Sequence, residues 1–295
     1  LTARTISWSE IDSWRQCPFK WRLEYAERWV APETSPALSK GTLWHVVLEK
    51  HYRILQATRS ISTAIDAVDA YLDAVYGEET IDGRFDDEII DLIAWMYHGY
   101  VQMWQKDDAE HEIIEVEMKR ELPLIEGLVN IKCKIDYLVK DLFGYYWLYD
   151  HKSGQNLPTK KETDLDDQFA LYQWILNQCL GANVFGVVHN AARTIRLKTR
   201  EAPLPERFVR IKMVRTAVEL ETMVAEIRST ALDIVAAYDN LDSPETLVTP
   251  RHPDPDRCKW RCGFTNPCLL GRGTEPARTR IMLKDLEFRQ DFTRH

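Results

Sequence analysis

The sequence predicts an α/β fold in which helices come first, a mixed sheet with a crossover helix follows, and an irregular cap ends the chain. Three observations carry this. Before residue 110 the apolar positions recur every three or four residues, as in Ile90, Ile93, Met96, Tyr97 and Tyr100, the period of a helix with one buried face. From residue 112 the period drops to two. Val129, Ile131, Cys133 and Ile135 alternate with Asn130, Lys132, Lys134 and Asp136, as in a half-buried strand. Two more β-rich runs, NVFGVVHNA and RFVRIKMV, follow a helical stretch at about 164–180, the order of a strand–helix–strand crossover.

Each element has its own signal. Residues 7–29 read as a first helix, capped by Ser7 or Ser9, with Ile11, Trp14, Leu23 and Tyr25 toward one face and Pro18 as a break or bend. GTLWHVVLEKHYRILQ (41–56) reads as a second helix beginning after Gly41, and 61–76 and 86–106 as a third and fourth. EIIEVEMKREL, LVNIKCKIDYLV and YYWLYDHK are three strands with short turns between them, an antiparallel meander. Residues 216–239 form a long amphipathic helix. From residue 243 the chain is rich in Pro, Arg and Cys, which predicts no regular element there.

The 295-residue chain is long enough to bury a substantial core, and its 45% hydrophobic and 28% charged content is that of a soluble globular protein. No apolar run approaches the roughly 20 residues that span a bilayer, and the N-terminus has no charged-then-apolar leader pattern. A cytoplasmic setting with no membrane partner is expected. A net charge of −8 speaks against a protein that coats nucleic acid without specificity. Residues 193–215 reverse that sign locally, with eight Lys or Arg against Glu201 and Glu206. Arg196, Lys198 and Arg200 in this run are candidates for nucleic-acid contact; the alternative is a solvated edge strand and loop.

The chemistry gathers where GYYWLYDHKSGQN (144–156) changes from an aromatic strand into a charged strand end. Asp150 and Lys152 are one residue apart, so a strand turns both to one face. Antiparallel pairing about a turn near Asp141–Gly144 brings Asp136 level with Asp150. Two converging carboxylates repel unless a divalent cation lies between them, and oxygen ligands suit Mg²⁺ or Mn²⁺. A lysine beside such an ion can orient or deprotonate water and stabilise developing phosphate charge. Taken alone, D-x-K also fits a surface ion pair. Its company is more specific: G-x-x-x-H places His45 on an otherwise apolar helix face, and Q-x-x-x-Y places Gln168 and Tyr172 one helical turn apart after the strand end.

In that order, G-x-x-x-H, I-D, D-x-K and Q-x-x-x-Y resemble the RecB-like branch of the PD-(D/E)xK nuclease superfamily, which includes the CRISPR-associated RecB-like exonucleases and AddB-type nuclease domains. The resemblance runs from about Ser7 to Cys268. It implies a restriction-endonuclease-like core with a mixed central sheet. Asp136 and Asp150 would bind the metal with His45 as a further ligand, and the His151 backbone carbonyl would contribute. Lys152 would be the catalytic lysine, with Gln168 and Tyr172 supporting DNA and the active site. Glu117 stands where some relatives carry another acidic group. The chain departs from the pattern at Lys134, where relatives often have glycine, and this leaves the hairpin register open.

Six cysteines are present, and Cys17, Cys258, Cys262 and Cys268 fall outside the expected sheet and its crossover helix. Clustered cysteines without a secretion signal point to metal before disulfides, whereas Cys133 and Cys179 read as buried hydrophobes. The same relatives hold a 4Fe-4S cluster with one N-terminal and three C-terminal cysteines. The resemblance therefore implies that these four hold such a cluster and join the two chain ends. Here C-x3-C-x5-C has one residue more than the common spacing between its first two cysteines. Zinc on the three C-terminal cysteines and His252 is the rival.

The implied organisation is a helical region at 1–110 carrying Cys17 and His45, a nuclease core at 111–215, and a C-terminal helix with an iron–sulfur cap at 216–295, integrated as one domain. The expected activity is metal-dependent hydrolysis of DNA, as an exonuclease on single strands or duplex ends, in repair, recombination or phage DNA processing with recombination or phage replication proteins as partners. The alternatives are a non-catalytic DNA-binding or assembly subunit with this fold, and a zinc-stabilised transfer or repair enzyme whose D-x-K is accidental. The chain contains no G-x-x-x-x-G-K-[ST] phosphate loop, so a coupled helicase would be another chain.

Overall fold

The computed structural model describes residues 3–30, 36–76, 85–181, 184–196, 202–241, 249–260, 262–270 and 289–290. The chain opens with β1 (Arg4–Ser7), α1 (Trp8–Gln16), α2 (Pro18–Trp21), a π-helical turn (Arg22–Ala26) and β2 (Trp29–Val30). Three long helices follow: α3 (Pro36–Thr58), α4 (Ile61–Val75) and α5 (Asp87–Glu110). Next come β3 (Glu112–Ile125), β4 (Val129–Lys140), β5 (Tyr146–Gly154), α6 (Lys160–Asp164), α7 (Asp167–Leu180), β6 (Val184–Arg193) and β7 (Phe208–Met213). The chain continues through α8 (Ala217–Asp239), α9 (Pro255–Trp260), α10 (Thr265–Leu270) and β8 (Arg289–Gln290). The α/β class and mixed sheet are as the sequence predicts.

Three local expectations are corrected, and one strand is added. The first helix is three pieces, because Pro18 enters at the first position of α2 and Cys17 is extended before it. Strand β1, ahead of the Ser7 cap, is too short at four residues for alternation to reveal it. Helix α3 begins at Pro36 and contains Gly41 instead of starting after it. In the tail, α9 and α10 replace the expected irregular chain. Six-residue helices have too few turns to show a period, and α9 is closed locally by Asp254, whose carboxylate accepts from the Arg257 N–H at 2.8 Å. The crossover helix expected at about 164–180 is α7, and the short α6 precedes it. Thr159 and Glu162 form a capping box on α6, and Asp166 caps α7.

The chain divides into two compact units. The first comprises Leu1–Thr34, Glu121–Lys132 and Ala225–His295. In it β1 pairs in parallel with Val129–Lys132 of β4. Buried Glu10 accepts from Trp21 Nε1 (3.1 Å) and the Tyr238 hydroxyl (3.0 Å), while Arg4 lies 3.6 Å over the Tyr238 ring. Leu23, Trp29 and Phe264 form a small separate core.

The second unit comprises Ser35–Arg120 and Cys133–Val224. Its sheet runs β4-β5-β6-β7, with β3 paired to β4. The β4–β5 pair is antiparallel, β5–β6 is parallel across the α7 crossover, and β6–β7 is antiparallel. Helices α3, α4 and α5 cover one sheet face, burying Trp44, Tyr52, Tyr97, Tyr100, Tyr137 and Tyr149. The alternation of β4 is as expected, with Ile135 fully buried and Lys134 exposed. Among the described residues no helix is long and apolar enough to cross a membrane.

Gly186 sits at the irregularity where β6 leaves strict register with β5. A Cβ there would strike the Met213 carbonyl oxygen and lie 2.9 Å from the Trp147 ring. Backbone cannot rotate away as a side chain can. Gly186→Ala is therefore expected to lower stability by about 1–3 kcal/mol, the usual range for overpacking. Urea unfolding of the two proteins checks this, and equal midpoints would mean that the β6–β7 ladder yields easily.

Candidate active site

The β4–β5 ladder fixes the hairpin register through Tyr137↔Tyr149, Leu138↔Leu148 and Val139↔Trp147. One step further, Asp136 stands level with Asp150, where the ladder has stopped and β5 continues bonded to β6 alone. The freed His151 N–H turns to Asp136, donating to Oδ2 at 2.5 Å. On the other oxygen, Oδ1, Asp136 meets His45 Nδ1 at 3.4 Å from α3. Burial works to raise both aspartates, and their surroundings separate them. His45 and the His151 N–H hold Asp136 well below the usual carboxylate range, whereas burial and the Asp136 charge push Asp150 above it against the pull of Lys152. Asp136 also brings His45 up, although burial alone would lower it.

Glu117 completes a cluster on the Asp136 side. Ligand atoms of His45, Glu117 and Asp136 all lie within 4.8 Å of one another, among the described residues the one such group of three or more. The Glu117 backbone is left-handed, φ 57°, inside strand β3. That conformation is rare for a residue with a side chain and is a local irregularity that re-aims the carboxylate. Its Oε2 accepts no hydrogen bond of good geometry and is paired with the Lys134 ammonium. Lys134 thus supplies a positive charge at the position where the family pattern often has glycine.

Asp150 faces the other side of the site. Its Oδ2 also lacks a well-formed hydrogen bond and has the Lys152 ammonium at 2.8 Å. Burial disfavours charge on Lys152, but Asp150 outweighs it and raises the ammonium above its ordinary pKa. Lys152 is therefore protonated at neutral pH. It donates to Gln168 Oε1 at 3.1 Å, and Gln168 Nε2 donates to the Tyr172 hydroxyl at 2.9 Å. The Q-x-x-x-Y pair is thus joined directly to the lysine of D-x-K. The site collects His45, Glu117, Asp136, Asp150, Lys152, Gln168 and Tyr172, and the donor set of one imidazole and buried carboxylates suits a divalent ion.

A family model for the PD-(D/E)XK nuclease superfamily matches residues 5–268. The chain belongs to that superfamily. Membership makes this a nuclease fold, whose superfamily hydrolyses phosphodiesters in nucleic acid and uses divalent metals. Among solved structures, a candidate exonuclease of Eubacterium rectale is similar at 13% identity, covering 88% of this chain and 93% of that one with a TM-score of 0.47. SSO0001 is similar at 17% identity, covering 89% of this chain and 84% of that one with a TM-score of 0.35. No curated protein matches the sequence.

The basic run is less available than its sequence suggests. Arg207 is buried, its guanidinium 3.6 Å over the Trp95 ring, and the Arg210 side chain is buried in an ion pair with Asp108 at 2.7 Å. These positions stabilise the fold. Arg196 is exposed, 5.2 Å over the same Trp95 ring, and Lys198 and Arg200 lie outside the described residues.

In the first unit, Cys17, Cys258, Cys262 and Cys268 all line one cavity of about 700 Å³. The His252 N–H reaches Cys17 Sγ at 3.5 Å, Arg257 donates to the Gln16 carbonyl at 2.8 Å, and Phe19 N–H donates to the Pro250 carbonyl at 3.1 Å. Thr265 Oγ1 ties α10 back to the carbonyls of Cys258 and Cys262. Cys133 is buried, with its thiol pushed up to about 12 by burial, as a hydrophobe in this position would be, whereas Cys179 is exposed, correcting the expectation that both are buried.

Sequence reading missed Lys134 as the partner of Glu117, since the two stand on different strands and neither pairs in any local pattern. Removing this ammonium should favour a divalent ion at the carboxylates. In a titration of free Mn²⁺ by its electron paramagnetic resonance, Lys134→Gln is expected to tighten binding by about 3-fold, and Asp136→Asn to weaken it by about 10-fold or more. Unaltered affinity in K134Q would show that the lysine does not compete.

Proposed function

We propose that the protein is a metal-dependent deoxyribonuclease. It acts as an exonuclease on single strands or duplex ends, in DNA repair, recombination or phage DNA processing. We place it in the cytoplasm beside recombination or phage replication proteins. The observation that carries this reading is Asp136 and Asp150 held level at the open end of the β4–β5 ladder, with the Lys152 ammonium 2.8 Å from Asp150. The RecB-like order of motifs, G-x-x-x-H to Q-x-x-x-Y, supports DNA as the substrate.

Asp136, Asp150 and His45 would hold Mg²⁺ or Mn²⁺, with the His151 carbonyl and Glu117 as further oxygen donors. The fit rests on two buried carboxylate oxygens, on Glu117 and Asp150, that have a lysine ammonium beside them and no well-formed hydrogen bond. When bound, the metal supplies a Lewis acid for the phosphate oxygens and a water of lowered pKa. Lys152 would orient the attacking water beside the metal and donate to developing negative charge on the phosphate. Two of its three N–H groups serve Asp150 and Gln168, and the third is free to turn to the reacting phosphate. Gln168 and Tyr172 hold that ammonium in place, and exposed Arg196 with Lys198 and Arg200 binds the strand.

Cleavage of end-labelled DNA with Mg²⁺ or Mn²⁺ tests this. Lys152→Ala, Asp150→Ala and Asp136→Asn should each lose about 100-fold or more while keeping the wild-type circular dichroism spectrum. Chelation by EDTA should silence the native protein. Full cleavage by either aspartate variant would remove the site assignment, and inert wild-type protein would favour the non-catalytic binding subunit.

Cys17, Cys258, Cys262 and Cys268 are proposed to hold a 4Fe-4S cluster. Their shared cavity supports this. Anaerobically purified protein should be brown, and Cys17→Ser should bleach and destabilise it. Colourless protein with stoichiometric zinc, sensitive to His252→Ala and indifferent to Cys17→Ser, is the opposite result.

A further inference from the structure

We propose that His151, the middle residue of D-x-K, is a positioning residue whose buried imidazole locks the metal-binding strand end from the sheet face opposite Asp150 and Lys152. The proposal rests on the nuclease reading for its metal and on separate geometry for the lock. Strand alternation sends Asp150 and Lys152 to one face and the His151 side chain to the other. Beyond Tyr149 the strand has lost its β4 partner, so Asp150–Gly154 are held in a ladder on the β6 side alone. Something else must fix the peptide plane that gives its N–H to Asp136.

The imidazole does this. It lies beside a stacked pair of tyrosines, 5.6 Å from Tyr52 at 16° and 5.1 Å from Tyr137 at 22°, the two phenol rings themselves 4.1 Å apart. Its Nδ1 is 2.8 Å from Asn190 Nδ2 on the neighbouring strand β6. The orientation of that amide is set by what surrounds it. Arg210 has donors and no acceptor, so its Nε, 3.5 Å away, must face Asn190 Oδ1. Asn190 Nδ2 is left to donate to the Tyr100 hydroxyl at 2.6 Å and to His151. The His151 Nδ1 is therefore an acceptor, and its proton resides on Nε2.

Arg210 in turn is held through Nη2. It pairs with Asp108 at 2.7 Å and donates to the Tyr100 and Tyr52 hydroxyls at 2.9 and 3.2 Å. Tyr52 also donates to Asp108 at 2.9 Å, closing the ring of contacts. The route runs from the buried Asp108–Arg210 pair through Asn190 to His151, and along one peptide bond to the Asp136 carboxylate. Each member is on α3, α5, β4, β5, β6 or β7, so rigid elements hold it throughout.

Two substitutions separate an acceptor from mere bulk. His151→Leu keeps the volume and removes Nδ1; His151→Asn can present a carbonyl oxygen where Nδ1 was. With free Mn²⁺ followed by electron paramagnetic resonance, H151L should bind at least about 10-fold more weakly than wild type, and H151N within about 3-fold of it. On end-labelled DNA, H151L should need correspondingly more Mn²⁺ for half-maximal rate, with little change in DNA binding measured in EDTA. Should H151L not fold, Asn190→Ala removes the same donor from the other side and should give the same shift. Mn²⁺ affinity in H151L, or in N190A where H151L does not fold, equal to that of wild type overturns the proposal, as does an equal loss in H151L and H151N. Wild-type protein that binds Mn²⁺ but leaves DNA intact would defeat the nuclease reading instead, and the Mn²⁺ comparison would still decide the lock.

Discussion

Two carboxylates held level on neighbouring strands, out of water, repel each other, and the second unit is organised around that repulsion. Asp136 is relieved by an imidazole on one oxygen and a backbone N–H on the other. Asp150 is relieved by an ammonium two residues along its own strand. The relief is unequal, which is why the two groups are driven apart in acidity, one down and one up. A chain that brings like charges together in a low-dielectric place destabilises its own fold locally. The compensation is an affinity for cations, met in the protein alone by lysines and in a nuclease by metal.

A second buried charge sits beneath the first. Arg210 and Asp108 are enclosed by Tyr52, Tyr100, Tyr149 and Trp104, whose rings and hydroxyls take the place of water around the guanidinium. Leaving either partner alone there would strand an uncompensated charge, a loss of about 3–5 kcal/mol in comparable pairs. Arg207 shows how tightly such cations are packed: at Gly99 on α5 a Cβ would come 2.5 Å from its guanidinium. The helix gives up a side chain so that an arginine can lie on Trp95.

What the sequence made legible was periodic or local. The alternation along Val129–Asp136 yielded the strand, its buried face and, with the turn before Tyr146, the level of the two aspartates. D-x-K and Q-x-x-x-Y were readable because strand and helix periods turn each pair to one side. Interactions between remote residues were not. His151, Asn190 and Arg210 meet because three strands align, and Glu117 meets His45 because a strand departs from regular geometry. The basic run misled for a related reason. Composition counts charges, while the strand period carried Arg210 inward and the Trp95 contact covered Arg207. Short elements such as β1 and α9 offer at most two periods of pattern, so their caps and partners, not their composition, define them.

Glu117 leaves one consequence for how this fold divides its allegiance between endurance and use. A left-handed backbone disfavours any residue with a Cβ, by about 1–2 kcal/mol relative to a relaxed conformation, and glycine alone is free of that penalty. A chain optimised for endurance would carry glycine at 117 and lose the lysine-bound carboxylate with it. The glutamate keeps the strand under tension at the place where a carboxylate is wanted. Efforts to harden this protein by relaxing its backbone would therefore begin by dismantling the part that gives it a task.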